Sequence, residues 1–249
     1  MNLLARMGIA GAVVGAALAT AGVGQAIGSP HLGSIEVGAP VATAERIAVF
    51  VPGAGVTMDN AGRVGGPLEA ANAVVAAARS EKLAAVAWVG YRTPNGIGVE
   101  SATGTRARDG ARELTAYLDR LAATTDAPIT VFCHSYGSVV CGLARYPTDV
   151  TDVVAYASPG MRQPRAASLH PRVWVAAAQG DAITFTPHVR IGDLFHGVDP
   201  AGKAFGARLV DTGTAYGHDG YVAPGTESLA NFARIALGHS AQVTTRPPH

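Results

Sequence analysis

The sequence predicts one α/β domain in which a mostly parallel sheet of about six strands carries helices on both faces. Three observations lead there. From residue 46 onward, short apolar runs alternate with longer amphipathic ones. The apolar runs lack period-two patterning, which assigns them to a sheet buried on both sides rather than to a half-exposed one. Finally, 249 residues, 48% hydrophobic and only 15% charged, are enough for a sizeable core and do not resemble a disordered chain.

Each element can be justified in turn. Residues 46–51 (RIAVFV) form the first strand, which Pro52-Gly53-Ala54-Gly55 ends. Residues 67–80 read as a helix with Pro67 at its first position, where the missing N–H has no intrahelical partner to lose. Residues 83–89 are a second strand, followed by a Gly/Pro/Asn loop to residue 104. Residues 105–124 are the longest helix, with Leu114, Leu118 and Leu121 at helical spacing. The third strand is 129–132, followed by a helix at 138–145 and strands at 152–157, 173–178 and 208–211. A helix at 226–237 closes the domain. The domain spans 46–239, after a linker at 31–45 and before a polar, flexible tail at 240–249.

The first thirty residues stand apart. After Arg6 the stretch from Met7 to Gly24 carries no charge and is rich in glycine and alanine. A short basic start, an apolar run and small residues read as a secretory signal peptide. A membrane anchor and an ordinary leader are the alternatives. The chain is therefore expected to be secreted or associated with the cell envelope, with the cytoplasm as the other option.

A formal net charge of +1 and no basic run argue against nucleic acid as a partner. Small, uncharged partners are the natural expectation, with the apolar leader offering proximity to a membrane. Cys133 and Cys141, the only two cysteines, have no metal-ligand spacing; they read as two small buried thiols, with a disulfide between them as the alternative.

Chemistry concentrates at Cys133-His134-Ser135-Tyr136-Gly137, between a predicted strand and a predicted helix. A tight strand-to-helix turn of the G-x-S-x-G kind holds a serine exposed and strained, although Cys133 replaces the first glycine here. A serine needs a base to become a nucleophile. His218, after the sixth strand, fits that role, and Asp181, after the fifth, fits the acid that orients the base. His134, His188, His196 and His239 are the rival histidines, and Asp152, Asp193, Asp199 and Asp211 the rival acids. The oxyanion of an acyl-transfer intermediate needs N–H donors. Tyr136, just after the serine, and Ala54, in the turn after the first strand, are the candidates.

Residues 46–238 resemble an α/β-hydrolase, and within that superfamily an uncharacterised bacterial domain-of-unknown-function branch of serine hydrolases. The resemblance rests on Val49-Phe50-Val51-Pro52-Gly53, Ala87-Trp88-Val89-Gly90-Tyr91, the segment from Cys133 to Ser138, and Gly217-His218-Asp219-Gly220-Tyr221. It implies the α/β-hydrolase fold, a serine with a histidine and an acid acting on a small ester or acyl substrate, and no cofactor; with no metal-ligand spacing in the sequence, no metal site is expected either. The expected activity is that of an esterase/lipase-like carboxylic ester hydrolase. Acyltransferase, thioesterase and non-catalytic binding protein are the alternatives. The connection at 158–172 is short and broken by Pro159, Pro164 and Pro171, so no large cap domain is expected over the site. The predicted walls of this open cleft are residues 90–104 and 183–207, the latter carrying Phe185, Phe195 and Phe205.

Overall fold

The computed structural model describes residues 32–247, so the leader expected at 1–30 lies outside the described residues. The strands are β1 (Gly33–Gly38), β2 (Arg46–Val51), β3 (Leu83–Val89), β4 (Ile129–His134), β5 (Val150–Tyr156), β6 (Arg172–Ala176) and β7 (Arg208–Val210). They form a single sheet in the order β1-β3-β2-β4-β5-β6-β7. Only the β1–β3 pairing is antiparallel. β3 and β4 are buried along their whole length, as expected for strands covered on both faces.

The helices are α1 (Pro67–Ala78), the single turn α2 (Val99–Ala102), α3 (Thr105–Ala122), α4 (Gly137–Leu143) and α5 (Glu227–Ala236). On one face α1 and α5 pack Ala70, Val74, Phe232 and Ile235 against the sheet. On the other, α3 and α4 bury Leu114, Leu118, Val139 and Val140. Fully burying one such leucine stabilises the fold by roughly 1.5–3 kcal/mol.

Three expectations need correction. Residues 31–45 are not a plain linker, because β1 pairs Ile35 with Ala87 and Val37 with Ala85 at the sheet edge. Only these two apolar residues mark the strand, and its alternating burial follows from covering a single face. The tail from 240 is tied down rather than free. Thr245 bridges Val210, and the Arg246 N–H donates to the Leu209 carbonyl at 3.0 Å. Asn231 Nδ2 adds a bond to Thr244 Oγ1 at 2.8 Å, so a polar segment is held by backbone and amide bonds that leave no hydrophobic signature. The two cysteines are not thiols: Cys133 and Cys141 form a disulfide across a Cα separation of 6.4 Å.

The connection from β5 to β6 contains only a 3-10 turn at Ala166–Ser168, and that from β6 to β7 only one at Ala182–Phe185. No large helical cap is built from either, and the carboxyl ends of the strands stay open.

Candidate active site

Ser135 sits where β4 turns into α4, with φ of 51°. A non-glycine residue in this left-handed region is strained and must be held by its surroundings. The Ser135 N–H donates to the Tyr156 carbonyl at 3.0 Å, and the Ser138 N–H donates to the Ser135 carbonyl at 2.9 Å. Glycine is required on either side of the turn. A Cβ on Gly137 would lie 2.6 Å from the Val51 carbonyl oxygen, and one on Gly53 would lie 2.8 Å from Ser135 Cβ. At the first position of the motif, Cys133 binds strand to helix through its disulfide with Cys141 in α4. Glycine there would permit close approach; the disulfide imposes it.

The three residues predicted to act together do meet. His218 Nε2 lies 2.9 Å from Ser135 Oγ, and His218 Nδ1 lies 2.8 Å from Asp181 Oδ1. An ionised carboxylate can only accept, so the proton sits on Nδ1 and leaves Nε2 to accept from the serine hydroxyl. Asp181 is fully buried at the head of the turn after β6, where its Oδ1 also accepts from the Ile183 N–H at 3.0 Å. Burial pushes its carboxyl up, but the bonds from His218, Ile183 and Tyr221 outweigh that and hold it below the usual range. Burial likewise pushes His218 down, and the bond and charge of Asp181, with a contribution from Asp219, raise it above the ordinary histidine value. Ser135 is partly exposed, as is His218.

Tyr221 is a partner that sequence reasoning missed. Its hydroxyl donates to Asp181 Oδ2 at 2.8 Å and accepts from the Ala178 N–H at 2.9 Å. The Gly217-to-Tyr221 stretch was the available signal, but nothing in it marks the tyrosine's direction.

The rivals are engaged elsewhere. His134 points away from the serine, as its neighbouring position implies, and its Nε2 lies 3.1 Å from the His218 carbonyl oxygen. Burial, with the charge of His218 adding to it, pushes His134 down to about 4, so it is neutral near pH 7 and donates there. His196 lies against the Ser101 carbonyl and Arg162. His188 approaches Asp199 at 3.9 Å, and His239 is exposed beyond α5. Asp152 is held by Arg172 and Trp174, and Asp193 by Arg108 and Arg162. Asp199 accepts from the Ala201 N–H and Asp211 from the Gly213 N–H.

The Tyr136 hydroxyl is fixed between the Ala107 N–H and the Thr103 carbonyl, which leaves its backbone as the part facing the serine turn. In the loop after β2, Tyr91 donates to the Pro52 carbonyl and Arg63 to the Ala54 carbonyl, while the Gly55 N–H is taken by Pro94. Among the described residues, neither the Ala54 nor the Tyr136 N–H has a protein acceptor. A groove of about 580 Å³ adjoins this loop, lined by Gly55, Val56, Tyr91, Thr93 and Asn95 among others. Of the three predicted wall aromatics, Phe205 is core, Phe195 is half-buried and Phe185 is exposed.

One group of metal-ligand types occurs among the described residues: His134, His218 and Asp219. Its nitrogens already serve the hydrogen bonds above, so it belongs to the same network.

Comparisons with known proteins agree with this architecture. Among curated proteins, the uncharacterized protein Rv0963c of Mycobacterium tuberculosis (strain ATCC 25618 / H37Rv) is 42% identical over 93 residues, which cover 36% of this chain and 35% of that one. The uncharacterized protein Rv2079 of the same strain is 31% identical over 253 aligned positions, covering 86% of this chain and 38% of that one. The chain thus spans little more than a third of the length of these relatives. The solved structure of esterase PE8 superposes with a TM-score of 0.57 at 17% identity, covering 83% of this chain and 99% of that one, a likeness of fold alone. A family model described as alpha/beta hydrolase matches residues 31–191, a stretch that includes Ser135 and Asp181 and stops short of His218. With that match spanning well over half its length, the chain belongs to the α/β-hydrolase family.

Proposed function

We propose that this chain is a serine hydrolase that cleaves a carboxylic ester through an acyl-enzyme intermediate. The observation that carries the reading is the unbroken series of hydrogen bonds from Asp181 through His218 to Ser135, at a residue strained into the left-handed region. His218 Nε2 takes the hydroxyl proton as Ser135 Oγ attacks the ester carbonyl. The Ala54 and Tyr136 N–H groups stabilise the tetrahedral oxyanion. The protonated His218, stabilised by Asp181, then gives its proton to the departing alkoxide, which leaves the acyl group on Ser135. Water attacks this ester by the same route and releases the carboxylic acid. The partial exposure of Ser135 and His218 gives water access to the acyl-enzyme, which favours hydrolysis over transfer to another acceptor.

The disulfide also supports placing the working protein in an oxidising compartment, in line with export.

The test is a panel of p-nitrophenyl esters of graded chain length together with an organophosphonate probe. The wild-type protein should hydrolyse at least one ester and be labelled at Ser135. Ser135→Ala should lose both properties and keep its thermal unfolding profile. Turnover above a few per cent in Ser135→Ala, with normal folding, would remove Ser135 from the mechanism.

A further inference from the structure

Every large apolar side chain that the described residues expose lies in a connection that follows a parallel strand. Val64 follows β2, Ile97 follows β3, Phe185, Ile191 and Leu194 follow β6, and Tyr216 follows β7; the remaining two fall in the same connections. All these connections leave the carboxyl ends of parallel strands, where Ser135 also sits. Phe185 stands just beyond Asp181 with 88% of its surface exposed, and Tyr216 stands just before His218 with 72% exposed. Single exposed apolar residues scattered over a surface need no explanation, but their concentration around one opening does.

Arginines are interleaved with them. Arg63 adjoins Val64, Arg92 opens the loop that carries Ile97, and Arg190 lies between Val189 and Ile191. Arg63 and Arg190 donate to the Ala54 and Gly192 carbonyls, which leaves their charge in place. Neither Arg63 nor Arg190 forms an ion pair with a carboxylate among the described residues, while the charge of Arg92 acts on Glu100. Several acids of the same face are paired internally: Asp193 with Arg108 and Arg162, Glu100 with Arg106, and Asp181 with His218. Exposed apolar side chains flanked by Arg63 and Arg190 match a surface that is apolar within and anionic at its boundary.

We propose that this face docks on an anionic lipid surface and presents Ser135 to an ester held there. The occupant has to leave Ser135 reachable and has to meet both the apolar side chains and the arginines. A lipid surface does both, whereas a second copy of the chain on the same face would cover the serine. The choice of a lipid ester as substrate rests on the esterase reading; the docking itself does not. Docking enriches enzyme on the surface without opening a lid, so hydrolysis of a soluble ester is unaffected by it.

The test separates the two. Full-length Ser135→Ala protein is sedimented with vesicles of phosphatidylcholine alone and of an equimolar phosphatidylcholine–phosphatidylglycerol mixture. Binding is expected on the mixed vesicles, weaker on the neutral ones and weaker at high salt. Adding Phe185→Ser and Ile191→Ser should reduce partition to the mixed vesicles about tenfold or more, and Arg190→Gln should reduce the preference for the anionic lipid. With Ser135 intact, Val64→Ser, an exposed apolar position outside the two expected cleft walls, should weaken binding to the mixed vesicles and still hydrolyse a short soluble p-nitrophenyl ester within about twofold of wild type. All the proteins share residues 1–31, so vesicle binding that the surface variants leave unchanged overturns the proposal. So does an absence of binding, or a lipid-free dimer that Phe185→Ser and Ile191→Ser dissociate. Failure of the parent protein on every soluble ester would instead strike the esterase reading and leave the vesicle result standing.

Discussion

Tyr221 clamps Asp181: its hydroxyl donates to Oδ2 at 2.8 Å, while His218 Nδ1 faces Oδ1 at the same distance. The Tyr221 hydroxyl also accepts from the Ala178 N–H, so one side chain joins the end of β6, Asp181 and the turn that carries His218. Burial and the charge of Asp181 raise the phenol's pKa well above its ordinary value, which keeps it a donor. Tyr221→Phe leaves a buried carboxylate oxygen and a backbone N–H short of a partner. The expected cost is about 1–3 kcal/mol in stability. A drop of about tenfold in kcat/KM should follow from the loosened Asp181. Denaturant unfolding and ester kinetics check both, and an unchanged midpoint with unchanged kcat/KM would contradict the clamp.

Asp181 also sets the pH dependence. The reactive form needs His218 neutral, so kcat/KM should rise with pH through a pKa above the ordinary histidine value of about 6.5. Asp181→Asn removes the bond and the charge that raise it. The acid limb should then move to lower pH while the plateau falls by about 10³-fold or more. A plateau loss with the limb unmoved would mean that Asp181 orients His218 without tuning it.

Much of this site was legible because each of its residues sits at a strand end. Ser135, Asp181 and His218 follow β4, β6 and β7, and buried apolar runs locate those strands without any tertiary information. β1 and the tail were not legible, for a different reason. Gly33–Gly38 carries only Ile35 and Val37 as apolar contacts, and residues 244–246 are held by polar bonds: backbone bonds, the Asn231 amide, the Glu227 carboxylate and the Arg246 guanidinium on the Ala177 carbonyl. The disulfide was only an alternative to free thiols in the sequence, because pairing depends on the approach of β4 to α4, a distance that no spacing encodes. Tyr221 escaped because a tyrosine in a polar loop has no periodicity to mark where its hydroxyl points.

Gly53 lies against Ser135, the proposed nucleophile. A Cβ there would stand 2.8 Å from Ser135 Cβ and 3.4 Å from its Oγ. Neither Ser135, held by its backbone bonds, nor the loop fixed through Pro52 and Ala54 can yield without displacing reacting atoms. Gly53→Ala should therefore reduce kcat by about 10–100-fold, since small misplacements at a reacting centre are costly. KM should change little and the protein should remain folded. Wild-type kcat in Gly53→Ala would mean that the loop relaxes freely.

His134 should make the fold sensitive to mild acid. Folded, its pKa is about 4 because it is buried beside His218; unfolded, it reverts to about 6.5. Between those values the unfolded chain binds more protons than the folded one, so stability rises with pH and falls on acidification. The loss begins below about pH 6.5, levels off below about 4, and amounts to something on the order of 3 kcal/mol. The other members of the site act in different windows. Asp181, with its lowered pKa, withdraws its contribution only as pH falls below the ordinary carboxylate value. His218, with its raised pKa, contributes stability that is full below about 6.5 and lost above it. His196 is also lowered by burial and adds a decline of its own on acidification, so a single profile does not isolate His134. The comparison that does is urea unfolding of wild type and His134→Gln at several pH values between 4 and 7. Glutamine can keep a donor toward the His218 carbonyl without titrating, so the variant should lose less stability on acidification than wild type does. Parallel decline in the two proteins would show that His134 is solvated or protonated in the folded state, against its burial and its bond to the His218 carbonyl.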